Sequence, residues 1–127
     1  MADRPRPRIL VVEDDEDLLR MIYKLLSTVG DVAMATDGEH AMQILAQGQP
    51  PDLVVTDLMM PRKDGLTLVK EMKEHDHLAK VPCIILTAKG SPRDVISGIN
   101  AGARHYLTKP FKPDDLISKV KKALRIN

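Results

Sequence analysis

The chain has 127 residues, 43% hydrophobic and 29% charged, with a formal net charge of +1, the size and balance of one globular domain able to bury a core. That near-neutral charge argues against a dedicated nucleic-acid binder, which would carry a strongly basic face, and no run approaches the roughly 18 apolar residues of a membrane span. One cysteine, Cys83, excludes an internal disulfide and fits a reducing cytosol; inside an apolar run it reads as a small buried hydrophobe.

Residues 1–7 are polar and alternate Arg with Pro, with no apolar core of a signal peptide. They are expected to form a flexible leader, with residues 8–127 as the folded domain. Ile9 to Val12 reads as a first strand. The helix after it carries Leu18, Leu19, Ile22, Leu25 and Leu26 on one face and is closed by Gly30. Asp31 to Thr36 predicts a second strand, and Asp37-Gly38 a turn into a helix bearing Ala41, Ile44 and Leu45. Gln47 to Pro51 breaks that helix. Leu53 to Thr56 is apolar nearly throughout, as expected of a central strand covered on both faces. A loop from Leu58 to Gly65 leads into a helix from about Leu66 to His75, with Leu66, Val69 and Met72 inward.

Pro82 starts the fourth strand, through Cys83 to Leu86. Ser91-Pro92 opens a fourth helix with Val95, Ile96 and Ile99, in which Gly98 lowers helix propensity. Tyr106 to Thr108 is the fifth strand. The fifth helix runs from about Pro113 to Arg125 with Leu116, Ile117, Val120 and Leu124 inward. Five alternations of strand and helix predict an α/β fold on a parallel sheet. The aromatics are only Tyr23, Tyr106 and Phe111, so the core is aliphatic.

Each strand except the second runs into chemistry-bearing residues: Glu13-Asp14-Asp15, then Asp57, then Thr87, then Lys109-Pro110. Strands of a parallel sheet point the same way, and open α/β sheets bind ligands at their carboxyl edge. Several carboxylates, a hydroxyl and an ammonium gathered there suit a divalent cation and a phosphoryl group. Asp15 and Glu16 are read as helix-capping acids. Asp14 and Asp57 are the stronger metal candidates, and hard oxygen ligands favour Mg2+. Asp57 is the candidate nucleophile, able to form an aspartyl phosphate. Lys109 supplies a positive charge and Thr87 a hydroxyl donor. Lys109-Pro110 fixes the chain direction after the last strand and is a candidate cis bond.

Val11-Val12-Glu13-Asp14-Asp15, Asp57-Leu58-Met59-Met60-Pro61 with Asp64-Gly65, Leu86-Thr87-Ala88, and Ala101-Gly102-Ala103 through Tyr106-Leu107-Thr108-Lys109-Pro110-Phe111 together resemble the CheY-like receiver domain of bacterial two-component response regulators. The resemblance covers about Arg8 to Leu124. It implies a flavodoxin-like, doubly wound sheet of (βα)5 type with strand order 2-1-3-4-5. It also implies that Asp57 takes a phosphoryl group from a sensor histidine kinase or a histidine phosphotransfer protein. Asp14, Asp57 and the Met59 carbonyl would ligate Mg2+, with Glu13 holding it through water; Thr87 and Lys109 would contact the phosphoryl group. Tyr106 matches the switch aromatic that turns inward as Thr87 moves. Output would pass through the face made by the fourth helix, fifth strand and fifth helix to a target protein.

The resemblance further implies a cytoplasmic signalling protein that catalyses only its own phosphorylation and dephosphorylation. Met59 and Lys89 occupy positions that tune phosphate lifetime, and neither orients an attacking water, so slow self-dephosphorylation is expected. The Met1 start with its Arg/Pro leader leans toward a stand-alone regulator rather than a receiver cut from a longer chain. Haloacid-dehalogenase-type phosphohydrolases share the aspartyl nucleophile but place an Asp two residues later, where this chain has Met59. Neither G-x-G-x-x-G nor a Walker motif is present. A partner-binding module indifferent to phosphorylation is the third reading. His40, His75, His77 and His105 carry no ligand pattern, and Lys119, Lys121, Lys122 and Arg125 suit the negative end of the last helix.

Overall fold

The computed structural model describes residues 6–60, 62–87, 103 and 105–126. The helix expected after Ser91-Pro92, and Lys89, lie outside the described residues. The described strands are β1 (Arg8–Val12), β2 (Asp31–Ala35), β3 (Leu53–Asp57), β4 (Cys83–Thr87) and β5 (His105–Thr108). The helices are α1 (Glu16–Leu26), α2 (Gly38–Leu45), α3 (Gly65–Glu74) and a C-terminal helix (Pro113–Leu124). All pairings are parallel, in the order β2-β1-β3-β4-β5, as expected of a flavodoxin-like sheet.

Alternation along each strand sends successive side chains to opposite faces. Leu10, Val12, Val54, Cys83 and Ile85 pack with α2 and α3, through Ala41, Leu45, Leu68, Val69 and Met72. Ile9, Val11, Leu53, Val55, Ile84 and Leu86 pack on the other face with Leu19, Ile22 and Leu26 of α1 and with Leu116 and Val120 of the C-terminal helix. This two-sided burial explains why β3 and β4 read as continuous apolar runs: every residue of both is buried. β2, at the edge, buries only Ala35 fully. Each buried Val, Leu or Ile contributes about 1.5–3 kcal/mol, so the central strands contribute heavily to the stability of the fold.

Helix starts follow from acidic caps. Asp15 accepts from the amides of Asp17 and Leu18, Asp37 from that of His40 and Asp64 from that of Thr67. Each satisfies amides that the first turn leaves unpaired. In α3 the buried stripe is Gly65, Leu68, Val69 and Met72, not the expected one containing Leu66, which is half-buried. Ile117 and Leu124 are likewise half-buried. At the start of the chain, the Pro7 carbonyl accepts from Asp31 N at 2.8 Å, and the Arg6 guanidinium donates to the carbonyls of Ser27 and Gly30. No helix among the described residues is long and apolar enough to cross a membrane.

Gly65 closes the loop after β3. Its amide donates to the Leu58 carbonyl at 2.9 Å, and a Cβ there would lie 2.2 Å from the Asp57 carbonyl oxygen. Gly65→Ala must therefore push α3 off the end of β3, at a cost of about 1–3 kcal/mol. Urea unfolding should show that loss at unchanged slope; a loss under about 0.5 kcal/mol, the size of an ordinary surface substitution, would contradict this packing.

Candidate phospho-acceptor site

Register decides which side chains meet. Val11 pairs with Val55 and Val12 with Thr56, so continuing β1 by one residue sets Glu13 level with Asp57. Asp57 is in turn level with Leu86 of β4, and Leu86 with Leu107 of β5. Glu13, Asp57 and Lys109 share the strand parity of the face covered by α1 and the C-terminal helix. Lys109 stands two residues beyond Leu107, and its amide donates to the Thr87 carbonyl at 2.6 Å. The Lys109-Pro110 peptide is cis.

The Lys109 ammonium lies 2.9 Å from Glu13 Oε1 and 3.1 Å from Asp57 Oδ1. Glu13 Oε2 accepts from Asp15 N at 3.1 Å, and Asp57 Oδ1 also accepts from Leu58 N at 2.9 Å. Glu13, Asp57 and Thr87 are buried, whereas Asp14 is exposed. Burial pushes the Glu13 carboxyl up to about 7, with the Lys109 and Asp15 hydrogen bonds pulling down and the Asp57 charge adding to the rise. Burial alone would depress Lys109, but its bonds to Glu13 and Asp57 outweigh it and hold the ammonium above its ordinary value.

Glu13, Asp14 and Asp57 each present an oxygen within 4.8 Å of the others. With Glu13 ionised, three carboxylates against one ammonium leave two negative charges at the sheet edge, which a divalent cation balances. All donors are hard oxygens, as Mg2+ requires. The site therefore fits that ion. Met59, the remaining expected ligand through its carbonyl, sits in the bend after β3 with its side chain 72% exposed.

Tyr106, level with Ile85, packs half-buried against the α2 and α3 side of the core. Its hydroxyl is buried without a hydrogen-bond partner among the described residues, and burial raises its pKa. His75 and His77 are exposed, with ring centroids 6.0 Å apart. His40 Nδ1 accepts from Thr36 N at 3.4 Å. Beside Lys109, a cleft is lined by Leu18, Met21, Pro110 and Phe111.

Sequence reasoning brought Glu13, Asp14, Asp57, Thr87 and Lys109 to one edge, and the fold places them there. It did not find Asp37, read only as part of a turn. Asp37 is 2% exposed and pairs with Arg62 in the loop after β3. The signal available was an acid directly before a helical glycine, which reads equally as an ordinary cap.

A family model for the response regulator receiver domain matches residues 9–121. The chain is 38% identical over 120 residues to the DNA-binding dual master transcriptional regulator RpaA of Synechocystis sp., covering 94% of this chain and 49% of that protein. It is 38% identical over 119 residues to the alkaline phosphatase synthesis transcriptional regulatory protein PhoP of Bacillus subtilis, covering 93% and 48%. It thus spans about half the length of these curated relatives. Among solved structures, a Francisella response regulator receiver domain superposes with a TM-score of 0.85 at 34% identity, over 94% of this chain and 97% of that one. The chemotaxis protein CheY4 of Vibrio cholerae gives 0.86 at 27% identity, over 92% and 98%. Sequence, strand order and the acidic sheet edge agree: the chain belongs to the response regulator receiver domain family of two-component signalling systems.

Proposed function

We propose that this receiver takes a phosphoryl group onto Asp57 from a phosphohistidine on a sensor kinase or histidine phosphotransfer protein, and that the phosphorylated form binds its target differently. The observation that carries this reading is the meeting of Glu13, Asp14 and Asp57 within 4.8 Å, with Lys109 bridging two of them. Glu13, Asp14, Asp57 and the Met59 carbonyl would hold Mg2+, which when bound offsets the repulsion between a carboxylate and phosphoryl oxygens.

The chain's own residues do the rest. Leu58 N and Lys109 engage Asp57 Oδ1, leaving Oδ2 to attack phosphorus. The new P–O bond forms as the P–N bond to the donor breaks, and the donor ring, already protonated on its other nitrogen, leaves as neutral imidazole. Lys109 then exchanges a carboxylate partner for a phosphoryl oxygen, and the Thr87 hydroxyl donates to another. Drawing Thr87 toward the phosphate would free the space beside it for Tyr106. Phosphorylation can bias the fold only through such a difference in contacts between two states. Output through the face that β5 and the C-terminal helix would form with the fourth helix expected from the sequence, and slow loss of the phosphate given Met59 and Lys89, belong to the same proposal.

The direct test is intact-protein mass after incubation with acetyl phosphate. One added phosphoryl group is expected with Mg2+, and none without it or in Asp57→Asn. Unmodified wild type under conditions where a known receiver reacts would refute the reading.

The raised Glu13 pKa has a signed consequence. Between the ordinary value of 4.5 and about 7, the folded state binds more protons than the unfolded one, so stability falls as pH rises through that window. In Mg2+-free buffer, Glu13→Gln should gain about 1–3 kcal/mol on wild type from pH 4.5 to above 7. A difference in urea unfolding that stays flat with pH would show that Glu13 is not the group responsible.

A protein donor must reach Asp57 past the loops around it, where the Leu18, Met21, Pro110 and Phe111 cleft adjoins Lys109. Met21 is 39% exposed there. Met21→Lys should slow transfer from a phosphorylated histidine phosphotransfer protein about tenfold, the effect of roughly 1.4 kcal/mol at a contact, while leaving reaction with acetyl phosphate unchanged. Equal slowing of both reactions would place the effect on Asp57 chemistry instead.

A further inference from the structure

Among the described residues, Asp37 is the one buried charged side chain outside the acidic cluster. Its two oxygens have separate duties. Oδ1 accepts from His40 N at 2.8 Å and caps α2; Oδ2 accepts from Arg62 at 2.5 Å. The His40 amide, followed by Arg62, holds this carboxyl below its usual range even against burial.

Arg62 has φ 67, a left-handed conformation that costs a residue with a side chain about 1–2 kcal/mol and persists only where its surroundings enforce it. The next residue is also held from the same side: Lys63 O accepts from Gly38 N at 3.1 Å. A Cβ on Gly38 would lie 2.3 Å from that oxygen, so only glycine permits the approach. Three residues before Gly38, Ala35 O accepts from Glu13 N at 3.0 Å. The exit of β1, which carries Glu13 and Asp14, and the loop after β3, which carries Met59, are thus both bonded to the stretch Ala35–Gly38.

We propose that the Asp37–Arg62 pair is a positioning brace: it fixes the loop after β3, and with it the Met59 carbonyl, and so sets the affinity of the site for Mg2+. The proposal rests on the phospho-acceptor reading above. Mg2+ accepts little departure from octahedral geometry at 2.0–2.1 Å, so a ligand carried on a loop must be held by contacts outside the coordination sphere. Loss of such contacts typically weakens metal binding about 10- to 100-fold. The Arg62 side chain is 68% exposed, so solvent screens its side of the pair, and buried Asp37 keeps the His40 amide when Arg62 is removed, which limits the cost to stability. Affinity and stability should therefore separate.

The experiment is Mg2+ titration by calorimetry on the full chain as wild type, Arg62→Ala, Arg62→Gly and Arg62→Lys, with melting of each metal-free protein. Arg62→Gly removes the guanidinium and also relieves the left-handed strain, so its fold is not at risk. The Ala and Gly variants should bind Mg2+ about tenfold more weakly, and Lys should restore most of the loss. The metal-free Gly variant should melt no lower than wild type, and saturating Mg2+ should return its acetyl phosphate reaction to the wild-type rate. Unchanged Mg2+ affinity in Arg62→Gly, with wild type binding, overturns the brace alone. A loss that Lys does not restore, accompanied by lower metal-free melting, marks a general structural role and overturns it as well. A wild-type chain that takes up no Mg2+ overturns both the brace and the reading beneath it.

Discussion

One ammonium group holds the functional edge of this molecule together. Lys109, delivered by β5, stands 2.9 Å from Glu13 and 3.1 Å from Asp57, which arrive on β1 and β3. Two carboxylates within 4.8 Å repel by about 3–4 kcal/mol at an effective dielectric of roughly 20, and both are buried here. Without the lysine the sheet edge would have to protonate or open. With it, the cluster carries two net negative charges once Glu13, its carboxyl raised to about 7, has lost its proton. The same charge that makes the site costly makes it receptive to a divalent cation.

The rest of the fold serves to keep that arrangement from relaxing. Buried side chains on both faces of β3 and β4 leave the strands no freedom to slide, and a one-residue slip would turn Asp57 to the opposite face. The chain after β3 returns at once through the Gly65–Leu58 hydrogen bond, and Asp64 starts α3. Rigid strands therefore fix the acidic and basic side chains, while loops braced from α2 present what surrounds them. Tyr106 sits on the other face, its buried hydroxyl without a hydrogen-bond partner among the described residues.

Much of this was legible in the residues. Apolar runs with polar ends gave the strands, and the polar ends gave the site, because a parallel sheet collects strand termini at one edge whatever the details of packing. Asp15 read as a helix cap for a similarly local reason, whereas Asp37 and Asp64 read only as turns, and the fold shows that they cap α2 and α3. Three things were not legible. The inward stripe of α3 depends on how the helix is rotated about its axis: Leu66 and Leu68 are equally apolar, and only the sheet decides that Leu68 is buried and Leu66 half-buried. Lys109 reaching back to Glu13 is a rotamer, not a pattern. The Asp37–Arg62 pair spans 25 residues between two loops, and no periodicity links loops.

Whether Lys109 and the acidic cluster form a phosphoryl acceptor is tested most directly by a crystal structure of the chain with Mg2+ and beryllofluoride, a mimic of the bound phosphoryl group. The account predicts beryllium on an Asp57 oxygen and Mg2+ between Asp14, Asp57 and the Met59 carbonyl. Lys109 should have moved from Glu13 to a fluoride, with Thr87 on another. Beryllofluoride absent from Asp57, or bound while Lys109 still bridges Glu13 and Asp57, would contradict it.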